Sequence, residues 1–286
     1  MNSRISVRRT VKLFIGGAFP RSESGRVTPF RSPSGVLVAN VCTASRKDFR
    51  ESVKVARAAQ PGWARRTAYN KAQIVYRLAE MLETRRESLA ASLALQLEIP
   101  ADEALKQVDE AIDLTVGWAG WCDKFQAILA TGNPVAGPYH NQSEPEALGV
   151  VVALAAPERP LTSLLLAILP PIVAGCSVIV LEAGNAPVTA IDLAEALATC
   201  DLPAGVVNIL TGSRSELLGH IALHADVDGV AIGAPRPEER QTLESAAATN
   251  ITRTSILDGP DARPATSPWR LLPFLEVKTL WHPTGF

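Results

Sequence analysis

The chain has 286 residues, 47% of them hydrophobic, and a formal net charge of −1. That length buries one or two cores, and near-neutral charge with scattered basic residues excludes a footprint for nucleic acid or an anionic membrane. Cys42, Cys122, Cys176 and Cys200 lie far apart and form no CxxC pair; reduced thiols are expected rather than a disulfide scaffold or a zinc ribbon.

The first residues, MNSRISVRRTVKLF, carry charge but no apolar run or cleavage site. They do not read as a secretory signal, and a cytoplasmic location is expected. Residues 11–42 read as strands and turns. LFIGG and VLVANV are short apolar runs, and Ser22-Glu23-Ser24-Gly25 and Ser32-Pro33-Ser34-Gly35 supply turn chemistry. Residues 46–130 read as helices. Val53, Val55, Ala56 and Ala59 share one face; Ile74, Leu78, Met81 and Leu82 share another at helical spacing. Pro61 and Pro100 are expected between helical segments, where proline is tolerated. Trp118 and Trp121 are expected on a core helix.

Residues 132–146, GNPVAGPYHNQSEPE, are polar and rich in Gly and Pro, an excursion outside the core that contains Tyr139. The pattern then changes. The strands ALGVVVALAA, SVIVL, VVNIL and DGVAI alternate with helices over residues 161–174, 187–200 and 214–224. Near-continuous Val/Ile strands separated by helices predict a parallel sheet covered on both faces. Right-handed crossovers make it doubly wound. No charge occurs from Pro160 to Leu181, enough to span a bilayer. Pro170-Pro171 and Ala174-Gly175 are expected to break that run into two elements, each too short to cross. Residues 252–273 hold Pro260, Pro264, Pro268 and Pro273 and read as a linker. FLEVKTLW is a last strand.

His220 and His224 are spaced i, i+4 on a predicted helix, with Asp226 and Asp228 beyond. That is metal-ligand spacing, but the glutamate of an HExxH word is absent, so surface histidines are the expectation and no metal site is assigned. No GxSxG, P-loop or paired catalytic carboxylates are present.

The order of these words resembles the aldehyde dehydrogenase family from about residue 12 to residue 247, and again at the C-terminus. The carriers are LFIGGAF, PSGVLVANVCTAS, the helix with Ala56, Ala58, Ala59, Gly62 and Trp63, RLAEMLETRRESLA, EALGVVVALAAPERPL, VAGCSVIVLEAGNAPVTA and LPAGVVNILTG. The resemblance implies an α/β fold: a doubly wound Rossmann-like parallel sheet with N-terminal helices and a β oligomerisation appendage. It implies strands and helices of the nucleotide-binding domain over 1–131, a hairpin over 132–146 and the Rossmann-like domain over 147–251. A linker over 252–273 would replace the catalytic domain, and 274–286 would be the C-terminal oligomerisation strand. The hairpin and residues 274–282 would pair and dock onto a full-length family member or a second copy. The shortened second copy found in some two-part members of the superfamily is the nearest architecture.

Chemistry of that family needs a cysteine thiolate, an oxyanion donor, a nicotinamide cofactor and a carboxylate base. By the resemblance, the thiolate and base belong to the segment expected to be missing. None of the four cysteines stands in the nucleophile's context; Cys176, at a strand start, and Cys200, at a helix end, read as small core residues. Glu158 stands where the oxyanion asparagine would be, beside Arg159. Leu181 and Gly184 stand where a lysine and a glutamate would hold ribose hydroxyls. The phosphate-binding turn reads AIGAPRPEER, and Gly233 allows a one-residue shift that does not restore it. Pro235 and Pro237 offer no N–H, Glu238 and Glu239 bring negative charge, and Arg236 offsets part of it. No catalytic, cofactor-binding or metal residues are therefore assigned, and NAD or NADP would be the cofactor if any. The expectation is a pseudoenzyme acting as a structural or regulatory subunit. The alternative is an NAD(P)-dependent aldehyde oxidoreductase completed by a partner's residues.

Overall fold

The computed structural model describes residues 8–257 and 264–285. Strand β1 (Thr10–Val11) pairs parallel with β3 (Leu37–Cys42), and β2 (Val27–Arg31) pairs antiparallel on its other side. The strand expected at LFIGG falls earlier in the chain. Gly16 and Gly17 take positive φ, so this stretch turns instead of extending, with Ile15 bridged to Ala18.

Helices α1 (Arg46–Ala64), α2 (Ala68–Thr84), α3 (Arg86–Leu97), α4 (Ala101–Trp121) and α5 (Phe125–Leu129) follow. A capping box starts α1: the Ser45 hydroxyl accepts from the Asp48 N–H and the Asp48 carboxylate accepts from the Ser45 N–H. The expected faces are inward: Val53, Ala56, Ile74, Leu78 and Leu82 are buried. Pro61 corrects the expected boundary, because α1 runs through it to Ala64. Trp63 holds that last turn. It is fully buried and its indole N–H donates to the Ile172 carbonyl at 2.8 Å.

After β4 (Thr131–Asn133) and β5 (Tyr139–Ala147), the main sheet begins. It contains β6 (Val150–Leu154), β7 (Ser177–Leu181), β8 (Val207–Leu210), β9 (Gly229–Gly233) and β10 (Arg253–Leu257), all parallel, in the order β10-β9-β6-β7-β8. Helices α6 (Pro160–Ala174), α7 (Pro187–Leu197), α8 (Arg214–Ala222) and α9 (Pro237–Asn250) connect them. The chain builds outward from β6 to β8, then crosses back to β9. The topological switch point thus lies between β6 and β9, where open α/β sheets bind ligands. Strands β6, β7, β8 and β9 are buried throughout, as their continuous apolar runs require. The outer edge of β8 is capped by Phe14, which exchanges backbone hydrogen bonds with Ile209.

The uncharged run divides into two elements as expected, helix α6 and strand β7, with the break at Gly175 rather than at Pro170-Pro171. Helix α6 continues through Pro170 and Pro171 and ends at Gly175, whose φ is +100°. All fifteen of its residues are buried, and that packing outweighs a local proline cost of about 3 kcal/mol. Among the described residues no helix is long and apolar enough to cross a membrane.

The region read as a linker, 252–273, is largely built. Residues 253–257 form β10, and Pro268–Phe274 form a 3-10 helix; residues 258–263 of that reading lie outside the described residues. The returning segment is fixed onto α4. The Trp118 and Trp121 indoles donate to the carbonyls of Ala265 and Thr266 at 3.2 and 2.6 Å. Arg253 then ties β10 to β11 (Leu275–Pro283), donating to the Leu275 carbonyl and the Glu276 carboxylate, each at 2.5 Å. Strand β11 pairs antiparallel with β5 from Leu275↔Ala147 to Pro283↔Tyr139, in a sheet of order β11-β5-β4.

Gly117 in α4 reports on this seam. A Cβ there would lie 2.4 Å from the Thr266 Cγ2. Alanine ordinarily stabilises an exposed helix interior over glycine by about 1 kcal/mol. Gly117→Ala is nonetheless predicted to lower stability to urea by about 1–3 kcal/mol. Adding Thr266→Ala should recover the loss. A stabilising Gly117→Ala would contradict the contact.

Candidate functional site

At the carboxyl ends of β6 and β9 the backbones of two loops meet. A Cβ on Gly233 would lie 2.7 Å from the Ala156 N and 3.1 Å from its Cα. Arg214, the first residue of α8, reaches across this seam. Its guanidinium donates to the Ala155 carbonyl at 2.7 Å and to the Gly233 carbonyl at 3.2 Å, and pairs with Glu239 at 3.5 Å. Glu239, in the first turn of α9, is 3% exposed. Its carboxylate accepts from the Arg236 N–H at 3.0 Å and from the Arg236 guanidinium at 2.9 Å. Burial works to raise this carboxyl, but Arg236 and Arg214 outweigh it and hold it below its ordinary value. Glu238 is exposed, so the two acidic residues read together in AIGAPRPEER part company. Pro235 and Pro237 offer no N–H, Ala234 takes φ +45°, and the N–H between the two prolines, at Arg236, is already bonded.

Glu158 lies exposed in the loop after β6. Arg159, at φ +47°, ion-pairs with Glu110 of α4 rather than with its neighbour. Leu181 is buried. Gly184 is exposed with φ +92° and presents no side chain. Between them Glu182 was not anticipated. Its buried carboxyl accepts from the Ala186 N–H at 2.9 Å at the start of α7, and burial raises its pKa. It forms part of a cavity of about 430 Å³ under the β2–β3 hairpin, with Phe30, Thr43, Gly184, Thr211 and Glu216. At the positions where the resemblance implies ribose contacts, Leu181 and Gly184 present no polar side chain, and at the start of α9 the Glu239 carboxylate is bonded to Arg236.

All four cysteines are free and buried. Burial pushes Cys176 and Cys200 up to about 11 and Cys122 up to about 12. The buried Lys71 favours the thiolates of Cys122 and Cys176, but desolvation is the larger effect. Cys42 sits in the wall of the hairpin cavity at 1% exposure.

The expected histidine pair does not share a helix. Helix α8 ends at Ala222, His224 packs edge-on against Phe49 at 5.5 Å and accepts from the Asp226 N–H, and burial lowers its pKa. Asp228 bonds the Val150 N–H at 2.6 Å and the Arg57 guanidinium at 2.7 Å. Among the described residues no group of three or more His, Cys, Asp or Glu is placed to hold a metal ion. Trp118 is in the core; Tyr139 is exposed and packs edge-on against Trp281 at 5.8 Å.

The sheet order and crossovers define an open α/β fold of the nucleotide-binding type. The profile of the aldehyde dehydrogenase family matches residues 20–261, and the chain belongs to that family. It is 31% identical over 259 residues to "Aldehyde dehydrogenase, cytosolic 1" of Macroscelides proboscideus, covering 89% of this chain and 51% of that protein. It is 30% identical over 257 residues to the human "Cytosolic 10-formyltetrahydrofolate dehydrogenase", covering 88% and 28%. The NAD+ complex of an aldehyde dehydrogenase from Bacillus cereus superposes with a TM-score of 0.82 at 27% identity, covering 87% of this chain and 50% of that one. The chain thus spans about half the length of the aldehyde dehydrogenases it matches, or less.

Two outcomes are expected of the isolated chain. Saturating NAD or NADP leaves the thermal midpoint unchanged, whereas a ligand at a hundred times its Kd would add about 2.7 kcal/mol; a rise of several degrees would contradict the filled crevice. Thiol titration at neutral pH finds no fast-reacting cysteine until the chain is unfolded, when all four react.

Proposed function

We propose that this chain is an aldehyde dehydrogenase-like pseudoenzyme, a structural or regulatory subunit that assembles in the cytoplasm with a full-length member of its family. The observation that carries the reading is the appendage sheet. Its outer strand β11 is unpaired on one side among the described residues. It presents Val277 at 69% and Trp281 at 58% exposure, with Tyr139 of β5 beside them. An exposed strand edge of nine residues, with Val277 and Trp281 among its charged and polar neighbours, is a template for pairing with another chain. Buried, raised thiols support the catalytic side of the reading, since a nucleophile must be both accessible and ionised.

A second reading has one observation in its favour, the superposition on a relative solved with NAD+. There the chain is an NAD(P)-dependent aldehyde oxidoreductase, active only with residues from a partner subunit.

Co-expression with a full-length aldehyde dehydrogenase, followed by size exclusion with light scattering, tests both. A stable mixed complex is expected, weakened at least about tenfold by Val277→Asp or Trp281→Ser. Elution of this 30.5 kDa chain apart from the partner would contradict assembly. Aldehyde oxidation by the complex above that of the partner alone would favour the second reading.

A further inference from the structure

We propose that Glu239 is a built-in occupant of the switch-point crevice, its carboxylate standing where an external phosphate or diphosphate group would bind. The start of α9 collects positive charge. Two guanidiniums, from Arg214 and Arg236, and the Arg236 N–H converge on one buried carboxylate, with contacts of 2.9–3.5 Å. The partial positive charge of the helix N-terminus adds to them. Glu239 lies on the same helix as the site it fills, so no outside ion is needed.

Arg214 shows that the arrangement is more than a local helix cap. Its guanidinium also holds the Ala155 and Gly233 carbonyls. It would therefore stay in the crevice if Glu239 were removed. The crevice then has two cationic side chains and a free N–H, and Glu238, which is exposed, is the carboxylate left in the first turn of α9. Charge-assisted bonds of this kind favour a tetrahedral polyanion. Glu239 thus acts as an internal plug, and its removal unmasks an anion site.

Titration calorimetry with inorganic pyrophosphate tests this on the whole chain. The wild type is expected to show no binding. Glu239→Ala, which removes both charge and bulk, should bind at least about tenfold more tightly than wild type. Glu239→Gln, which keeps the shape and can still accept from the Arg236 N–H, should show a smaller gain and serves if the alanine variant does not fold. Adding Arg214→Ala to either variant should abolish the gain. Pyrophosphate binding by wild type as tight as by the variants would overturn the proposal, as would no gain in a folded variant or a gain indifferent to Arg214. Such failure would leave the subunit reading untouched, because assembly runs through β11 and not through the crevice.

Discussion

Two indole N–H groups and one guanidinium hold this fold closed. Trp118 and Trp121 fix the carbonyls of Ala265 and Thr266 against α4, and Arg253 joins the last strand of the main sheet to the first residues of β11. Between them a handful of residues separates β10 from the returning chain, in a protein that spans about half the length of its aldehyde dehydrogenase relatives. These carbonyls are part-buried, and left without donors they would each cost up to about 1–3 kcal/mol. The seam matters because it supplies those donors from within the chain.

The crevice follows the same logic. In an open α/β sheet the switch point attracts ligands because two loops diverge there and leave backbone donors free. Here the loops after β6 and β9 are in contact, Arg214 bonds both carbonyls, and Glu239 takes the Arg236 N–H. The thiols are sealed by the same packing that makes the core. Cys176 immediately precedes β7, and its thiol donates to the Phe274 carbonyl at 3.3 Å, which helps hold the returning segment. Strand β11 has one edge unpaired among the described residues, so its open hydrogen-bonding capacity faces outward rather than into a pocket.

Much of the fold was legible because burial on both faces imposes an unbroken apolar pattern, as in VVVAL and SVIVL. Strand β10 was missed for the opposite reason. It is an edge strand, only partly buried, and RTSIL carries polar residues next to a proline-rich stretch. Pro61 misled because local proline preference lost to tertiary packing around Trp63, whereas Pro170 and Pro171 fall inside the helix expected over 161–174. At the site, the loss of donors at Leu181, Pro235 and Pro237 could be read from residue type alone. The negative charge of Glu239 could be read there too, but not its burial against Arg214, which is 25 residues away and, as an arginine at a helix start, ordinarily reads as solvated. A proline followed two residues later by a glutamate was the available signal of a helix start. Glu182 gave no comparable signal.

The central claim is that this half of the family's fold is closed by its own contacts. Native-state amide hydrogen exchange on the isolated chain tests it most directly. The amides of β10 and of residues 270–280 should exchange at least about a hundredfold more slowly than an unstructured chain, alongside protected β6 and β7. Exchange of those segments at unstructured rates while β6 and β7 stay protected would contradict the account.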